Sequence, residues 1–295
     1  MSHTNPGVHH TRVGDATVTA LNDGQFDADF AWVTGLSGAE AEGMLRDSFR
    51  VLPPRITVSC FLLRMGGRTI MVDAGGGAAM GHLLGATQRR LAAIGVAPAS
   101  VDTLLITHCH VDHVHGLLDD AGGALFPNAE LVINGAETAF WLNKEIEAQA
   151  PESAQAYFGI AQRALAPYAA RTRLVQDGDE VLPGITAVHL PGHTPGHTGF
   201  RIASGDATLL IWGDVVHLPG LQFGHPVAGM AFDIDGEQGR ATRARALDMV
   251  ATDRLLLAGM HLDFPTFGHV RRAGDGYAFE PVVWAPTDSG PFAAE

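Results

Sequence analysis

Ten residues, Thr107-His108-Cys109-His110-Val111-Asp112-His113-Val114-His115-Gly116, constrain this chain more than any other stretch. They follow the apolar run at 101–106, which reads as a buried strand entering the core. A strand that ends in such a sequence presents side chains from a rigid base into a loop that reaches solvent. In extended backbone His108 and His110 point to one side and Cys109 to the other. The turn beyond brings Asp112 and His113 back toward the same place. Imidazoles and a carboxylate this close repel one another when protonated and cost desolvation when buried. A divalent cation removes both penalties, because neutral His and ionised Asp are ligands for Zn²⁺ and its neighbours.

The chain holds 15 histidines, so a chance cluster is the simplest alternative. It weakens downstream. His193 lies in Leu190-Pro-Gly-His-Thr-Pro-Gly-His197, Asp214 follows the apolar strand at 209–213, and His261 follows the run at 255–260. Each is a possible ligand at the end of an apolar run with glycine nearby. The order H-x-H-x-D-H, then His, then Asp, then His resembles the metallo-β-lactamase superfamily, from about Ser59 to His269.

That resemblance implies an α/β fold, the αββα sandwich in which two mixed β-sheets pack face to face with helices outside. It also implies a dinuclear centre. His108, His110 and His193 would hold one ion; Asp112, His113 and His261 would hold the other, with Asp214 bridging. Asp73, at the end of the strand at 68–73, would orient a ligand, and His197 and His269 would be hydrogen-bonded structural histidines. Two divalent ions are implied, with Zn²⁺ the first choice and Mn²⁺, Co²⁺ or Fe²⁺ compatible with the same N/O donors. The chemistry expected is hydrolysis by a metal-bridging hydroxide, since no G-x-S-x-G elbow supplies a serine nucleophile. Asp112 and His217 are the residues assigned a catalytic part.

Further features resemble the branch containing methyl parathion hydrolase and the N-acyl-homoserine lactonases. They are Phe126-Pro-Asn-Ala, Phe140-Trp141-Leu, Leu182-Pro-Gly-Ile, Gln222-Phe223 and Phe264-Pro-Thr-Phe-Gly-His269. The chain departs from the phosphotriesterase pattern at Met80, at His217 and at Gly224-His225. These departures favour a lactone or ester bond in a small, partly apolar substrate, with phosphotriester hydrolysis as the alternative. Met80, Trp141, Phe223, Phe30 and Trp32 are the expected substrate-pocket residues. The branch also implies a homodimer.

Composition bounds the rest. With 295 residues and 46% hydrophobic content the chain can bury a full core. Residues 1–14 read as a flexible leader and 15–295 as one domain with a helical insertion at about 135–167. The net charge of −13, with Lys144 the sole lysine, opposes nucleic acid or an anionic membrane as partner. The expected partner is a small-molecule substrate. Cys60 and Cys109 sit inside expected strands and read as buried thiols rather than a disulfide framework. No apolar segment resembles a signal peptide, and a cytoplasmic location is expected. Strand, glycines and helix at 68–94 suggest a dinucleotide site, but Met80 stands in place of its third glycine and no ribose-binding acid follows. The helix at about 83–94 is therefore read as plain structure, and the Arg-rich helix at 236–250 as having a solvated outer face.

Overall fold

Continuous apolar runs such as Thr103–Ile106 and Ala207–Ile211 have no polar face, so both of their faces must be covered. The computed structural model, which describes residues 7–283, shows how. The first part of the chain supplies β1 (Val8–Val13), β2 (Ala16–Asp27), β3 (Val33–Thr34), β4 (Arg55–Met65), β5 (Arg68–Val72), β6 (Thr103–Ile106), β7 (Glu130–Asn134) and β8 (Thr172–Val175). All but β3 form one sheet in the order β1-β2-β4-β5-β6-β7-β8, antiparallel as far as β5 and parallel beyond it. The remainder supplies β9 (Glu180–Leu182), β10 (Ile185–His189), β11 (Thr198–Ser204), β12 (Ala207–Ile211), β13 (Gly229–Met230), β14 (Leu256–Ala258), β15 (Phe267–Ala273) and β16 (Gly276–Pro281). All but β13 form a second sheet in the order β16-β15-β14-β12-β11-β10-β9, where only β12 and β14 run parallel. β3 and β13 pair with each other as a short ribbon.

The helices are α1 (Gly38–Asp47), α2 (Thr87–Ala93), α3 (Val111–Val114), α4 (Gly135–Trp141), α5 (Lys144–Gln149), α6 (Glu152–Leu165), α7 (Pro219–Gln222) and α8 (Gly236–Thr252). Strand periodicity sorts the apolar side chains between layers. Phe61, Leu63, Leu105 and Val132 pack between the sheets against Phe200, Ile202, Leu209 and Ile211. Their neighbours Leu62, Leu104, Ile106, Leu131 and Ile133 face outward to meet Phe158, Ala161 and Leu165 of α6. On the second sheet, Leu210 and Leu257 meet Ala246, Leu247 and Val250 of α8. This is the αββα sandwich.

Three expectations are corrected. The leader is not loose over its second half, because Val8–Val13 pairs with β2 from Val8↔Leu21 to Val13↔Ala16. An edge strand with half-buried His and Thr looks like a polar tail when only composition is read. Residues 1–6 of that leader lie outside the described residues. The helix expected from 83 starts only at Thr87. The buried carboxylate of Asp23 accepts the N–H groups of Gly76, Gly85 and Thr87 and the Thr87 hydroxyl, pinning the preceding segment as a loop. Finally, the arginines of α8 are not all solvated. Arg243 is buried and donates to the carbonyls of Val215, Pro226 and Ala228. Among the described residues no helix is long and apolar enough to cross a membrane.

Candidate metal centre

Strand ends build the site. Asp73 follows β5 directly, β6 delivers Thr107 and His108, the β10–β11 connection carries His193, and Asp214 and His261 follow β12 and β14. In open α/β sheets the crevice beyond the carboxyl ends of strands is where ligands bind. α3 begins at Val111 with His110 as its N-cap, and this single turn aims Asp112 and His113 back at the strand ends.

The side chains converge so that their inward-facing donor atoms meet chiefly one another. His110 Nδ1 lies 2.9 Å from His193 Nε2, which lies 3.2 Å from His108 Nε2. Asp214 Oδ2 is 2.8 Å from His261 Nε2, 3.2 Å from His113 Nε2 and 3.3 Å from His193 Nε2. Asp112 Oδ2 is 3.5 Å from His113 Nε2 and 3.6 Å from His261 Nε2. Trios with donor atoms within 4.8 Å of one another include His108-His110-His193, Asp112-His113-His261 and His108-His113-Asp214. His113 Nε2 and Asp214 Oδ1 are buried and make no hydrogen bond. Buried polar atoms are normally satisfied, so lone pairs gathered and left unpaired in this way fit a divalent cation.

Electrostatics agree. Burial and the facing imidazoles hold His108 and His110 well below the usual His range. Burial also disfavours charge on His193, yet the carboxylates of Asp214 and Asp233 outweigh it and lift that imidazole to about 9. Burial opposes the charged forms of Asp112 and Asp214 too, but the surrounding imidazoles hold both carboxyls far below their ordinary value. Without cations, protons on some imidazoles balance the carboxylates; divalent ions would take over that part.

The supporting contacts orient each ring. Asp73, with a left-handed φ of 58°, accepts Thr107 N–H at 2.8 Å, the Thr107 hydroxyl at 2.7 Å and His113 Nδ1–H at 2.7 Å. Strain of this kind persists where the surroundings over-determine it. His261 Nδ1–H donates to the Thr57 carbonyl at 2.7 Å. His197 is fully buried, donates from Nδ1 to the Leu190 carbonyl and accepts Asp214 N–H on Nε2. His269, by contrast, is exposed on β15 and bonds only the Leu255 carbonyl. It is hydrogen-bonded as expected, but its side chain is exposed to solvent and does not stand behind one of the converging donors as His197 does.

Two carboxylates were not anticipated. Asp233 accepts His193 Nδ1–H at 2.7 Å. Glu137 of α4 is fully buried and accepts Cys109 N–H, Trp141 Nε1–H, the Thr194 hydroxyl and Gly196 N–H. It ties the loop of His108 and His110 to that of His193. In the sequence Asp233 looks like a helix-start acid beside the true N-cap Asp235, and Glu137 like a solvated helix residue. No local pattern marks either.

A cavity of about 590 Å³ opens over the cluster. Phe26, Trp32, Ile56, Met80, Tyr157, Phe158, Phe232 and Ile234 supply its apolar wall; His110, Asp112, Asp214, His217 and His261 form its floor. Of the expected pocket residues, Met80, Trp32 and Trp141 line it. Phe30 and Phe223 do not. Phe30 packs beside α1 with Leu45 and Met230. Phe223 is buried under α8, stacked on Trp212 and Phe279. In a linear reading Phe30 looks like a pocket aromatic because it stands two residues from Trp32, which does line the cavity, and Phe223 because Gln222-Phe223 resembles a pattern of the lactonase and parathion hydrolase branch. Trp141 shows the cavity only an edge, being 2% exposed with its indole N–H on Glu137. His217 stacks on His261 at 4.9 Å and lies 3.2 Å from Asp214 Oδ2.

The comparisons agree with this architecture. Residues 53–261 match the model of the metallo-β-lactamase superfamily. The hydrolase AbOPH, in the beta lactamase superfamily, is similar at a TM-score of 0.91 and 29% identity, over 96% of this chain and 100% of that one. AidC, a dizinc quorum-quenching lactonase, has the same fold at a TM-score of 0.90 and 23% identity, over 95% of this chain and 99% of that one. A ribonuclease Z of Aeropyrum pernix is 43% identical over 51 residues, which span 17% of this chain and 14% of that enzyme. The strand ends, the converging donors and a family match across most of the chain lead to one conclusion: this protein belongs to the metallo-β-lactamase superfamily and is a metal-dependent hydrolase.

Proposed function

We propose that the enzyme binds two divalent ions, Zn²⁺ by preference, and hydrolyses a lactone or ester bond in a small, uncharged, partly apolar substrate. One observation carries this reading. The cavity over the cluster is walled by aromatic and aliphatic side chains, and no Lys or Arg is among its described lining residues. A phosphomonoester or another anionic substrate needs such a cation to offset its desolvation. A neutral acyl or ester group does not. AidC, with the same fold, is a lactonase.

His108, His110 and His193 would hold one ion, Asp112, His113 and His261 the other, with Asp214 between them. Metal ions held there supply an activated water and polarise the oxygen of the scissile group. The chain's own residues do the rest. Phe232 and Trp32, in edge contact at 6.4 Å, cover the mouth with Ile234 and exclude water from the apolar part of the substrate. Burial holds the His217 imidazole down at about 4, so it is neutral at physiological pH and carries a single N–H. Its Nδ1 is buried without a partner and its Nε2 lies 3.2 Å from Asp214 Oδ2, which supports an N–H on Nε2 at the floor of the cavity. With Asp214 engaged by metal, that N–H would be free to donate to the oxygen that gains charge.

The test is a panel of aliphatic lactones, aryl esters, phosphotriesters and phosphomonoesters on zinc-loaded protein. Lactones or esters should give the highest kcat/KM and phosphomonoesters essentially none. A preference for phosphotriesters would transfer the site to that chemistry, which a cavity lined without Lys or Arg also accommodates. Turnover confined to phosphomonoesters would defeat the proposal.

A further inference from the structure

The imidazoles that converge on the centre are not all held alike. His108 Nδ1 faces the Thr107 hydroxyl at 3.0 Å, and His261 Nδ1 the Thr57 carbonyl at 2.7 Å. Among the described residues, two of these rings are backed by a carboxylate, and they fall one in each trio. Asp73 takes His113 Nδ1–H at 2.7 Å, and Asp233 takes His193 Nδ1–H at 2.7 Å. We propose that Asp233 is the positioning residue of the His108-His110-His193 trio and sets the affinity of that trio for its metal ion; the proposal rests on the two-ion reading given above.

The geometry is that of a carboxylate–histidine pair behind a metal ligand. With Nδ1–H donated to Asp233, Nε2 keeps its lone pair and points at His108 Nε2 and His110 Nδ1. A negative partner also raises the basicity of that lone pair, and such pairs tighten metal binding about 10–100-fold. Asp233 itself is well held. Its side chain is 1% exposed, its second oxygen accepts Met230 N–H at 3.2 Å, and the buried guanidinium of Arg243 stands 3.9 Å away. The backbone locks the two loops together as well, since Ile234 N–H donates to the His193 carbonyl and Asp235 N–H to the Gly192 carbonyl.

A purely structural role is the rival explanation, because the Met230 contact closes a turn that needs the same side chain. The two roles use different oxygens and respond differently to substitution. Asp233→Asn keeps the volume and an acceptor for one contact but removes the charge. Asp233 differs from Asp73 in one further respect: it forms part of the cavity wall, between Phe232 and Ile234. The loop that shapes the substrate space therefore also steers a ligand.

The experiment measures zinc content and zinc affinity by chelator competition on the wild type, Asp233→Ala and Asp233→Asn, with the melting temperature of each metal-free form as a control. Asp233→Ala is expected to bind one of its two zinc ions about 10–100-fold more weakly and the other unchanged, with Asp233→Asn in between. Added zinc should then restore turnover in both variants. Two outcomes overturn the proposal: both ions held at wild-type affinity, or both weakened alike together with a lowered melting temperature in the metal-free protein. A wild type that binds fewer than two ions per chain refutes the two-ion reading itself, before any variant is compared.

Discussion

His197 and Asp214 meet through the backbone: the imidazole Nε2 accepts the Asp214 N–H at 2.9 Å, while Nδ1–H donates to the Leu190 carbonyl at 2.7 Å. One buried ring thus fixes both the loop that carries His193 and the residue that lies between the two trios. Burial pushes this imidazole down to about 3, so it stays neutral and can donate and accept at once. His197→Ala would leave a buried carbonyl and a buried N–H unpaired, each costing about 1–3 kcal/mol. We expect a loss of roughly 2–5 kcal/mol in the metal-free protein by urea denaturation. A loss below about 1 kcal/mol would mean that water or a neighbour satisfies both groups.

Asp214 Oδ2 lies within 3.6 Å of an imidazole nitrogen of His108, His113, His193, His217 and His261. Its replacement by alanine removes the one anionic donor that both trios reach. Asp214→Ala is expected to retain one zinc ion and lose most turnover. Metal analysis showing two ions at unchanged affinity would remove Asp214 from the centre.

Trp141 belongs to the core as much as to the cavity. Its indole packs against Phe140 and Phe158 with centroids at 5.0 and 4.8 Å, and its N–H is bonded to buried Glu137. A merely roofing side chain would change KM for bulky substrates and little else. Trp141→Ala should instead cost about 3–5 kcal/mol of stability and disturb His110, whose ring it touches at 5.6 Å. Thermal unfolding decides this: a melting temperature near that of the wild type, with only KM raised, restores the roofing role.

For His217 the geometry separates two roles. As a donor from Nε2 it should lower kcat about 10²–10³-fold on lactones and esters when replaced by leucine, with both ions still bound. Its position in a trio with His193 and Asp214 also allows a ligand role, in which case His217→Leu would release metal. Unchanged turnover with metals in place would exclude it from the mechanism.

Chelation should destabilise the fold, because ligand-linked stability disappears with the ligand. On the two-ion reading, chelating the metal should lower the melting temperature of the wild type by more than that of Asp214→Ala, which would have less metal to lose. Equal shifts would indicate that the chelator acts elsewhere on the protein.

What the sequence determined by itself is local. An apolar run with no polar face must be a doubly covered strand, and donors placed directly after such runs must emerge at strand ends. That is why His108, His110, Asp112 and His113, and then His193, Asp214 and His261, could be picked out one by one before any packing was known. The capping box at Ser37 and Glu40 and the two-glycine turn at 66–67 are legible for the same reason, as their interactions close within a few residues. Only the tertiary structure decided which distant polar groups stand behind those donors. Asp233 reaches His193 across 40 positions and Glu137 reaches Gly196 across 59, distances at which no periodicity carries information. It likewise buried Arg243, turned His269 out to solvent and placed Phe223 beneath α8 rather than in the cavity. Burial of a side chain depends on which surface the sheet and helices bring against it, and that is a property of the packed layers, not of the residue's neighbours in the chain.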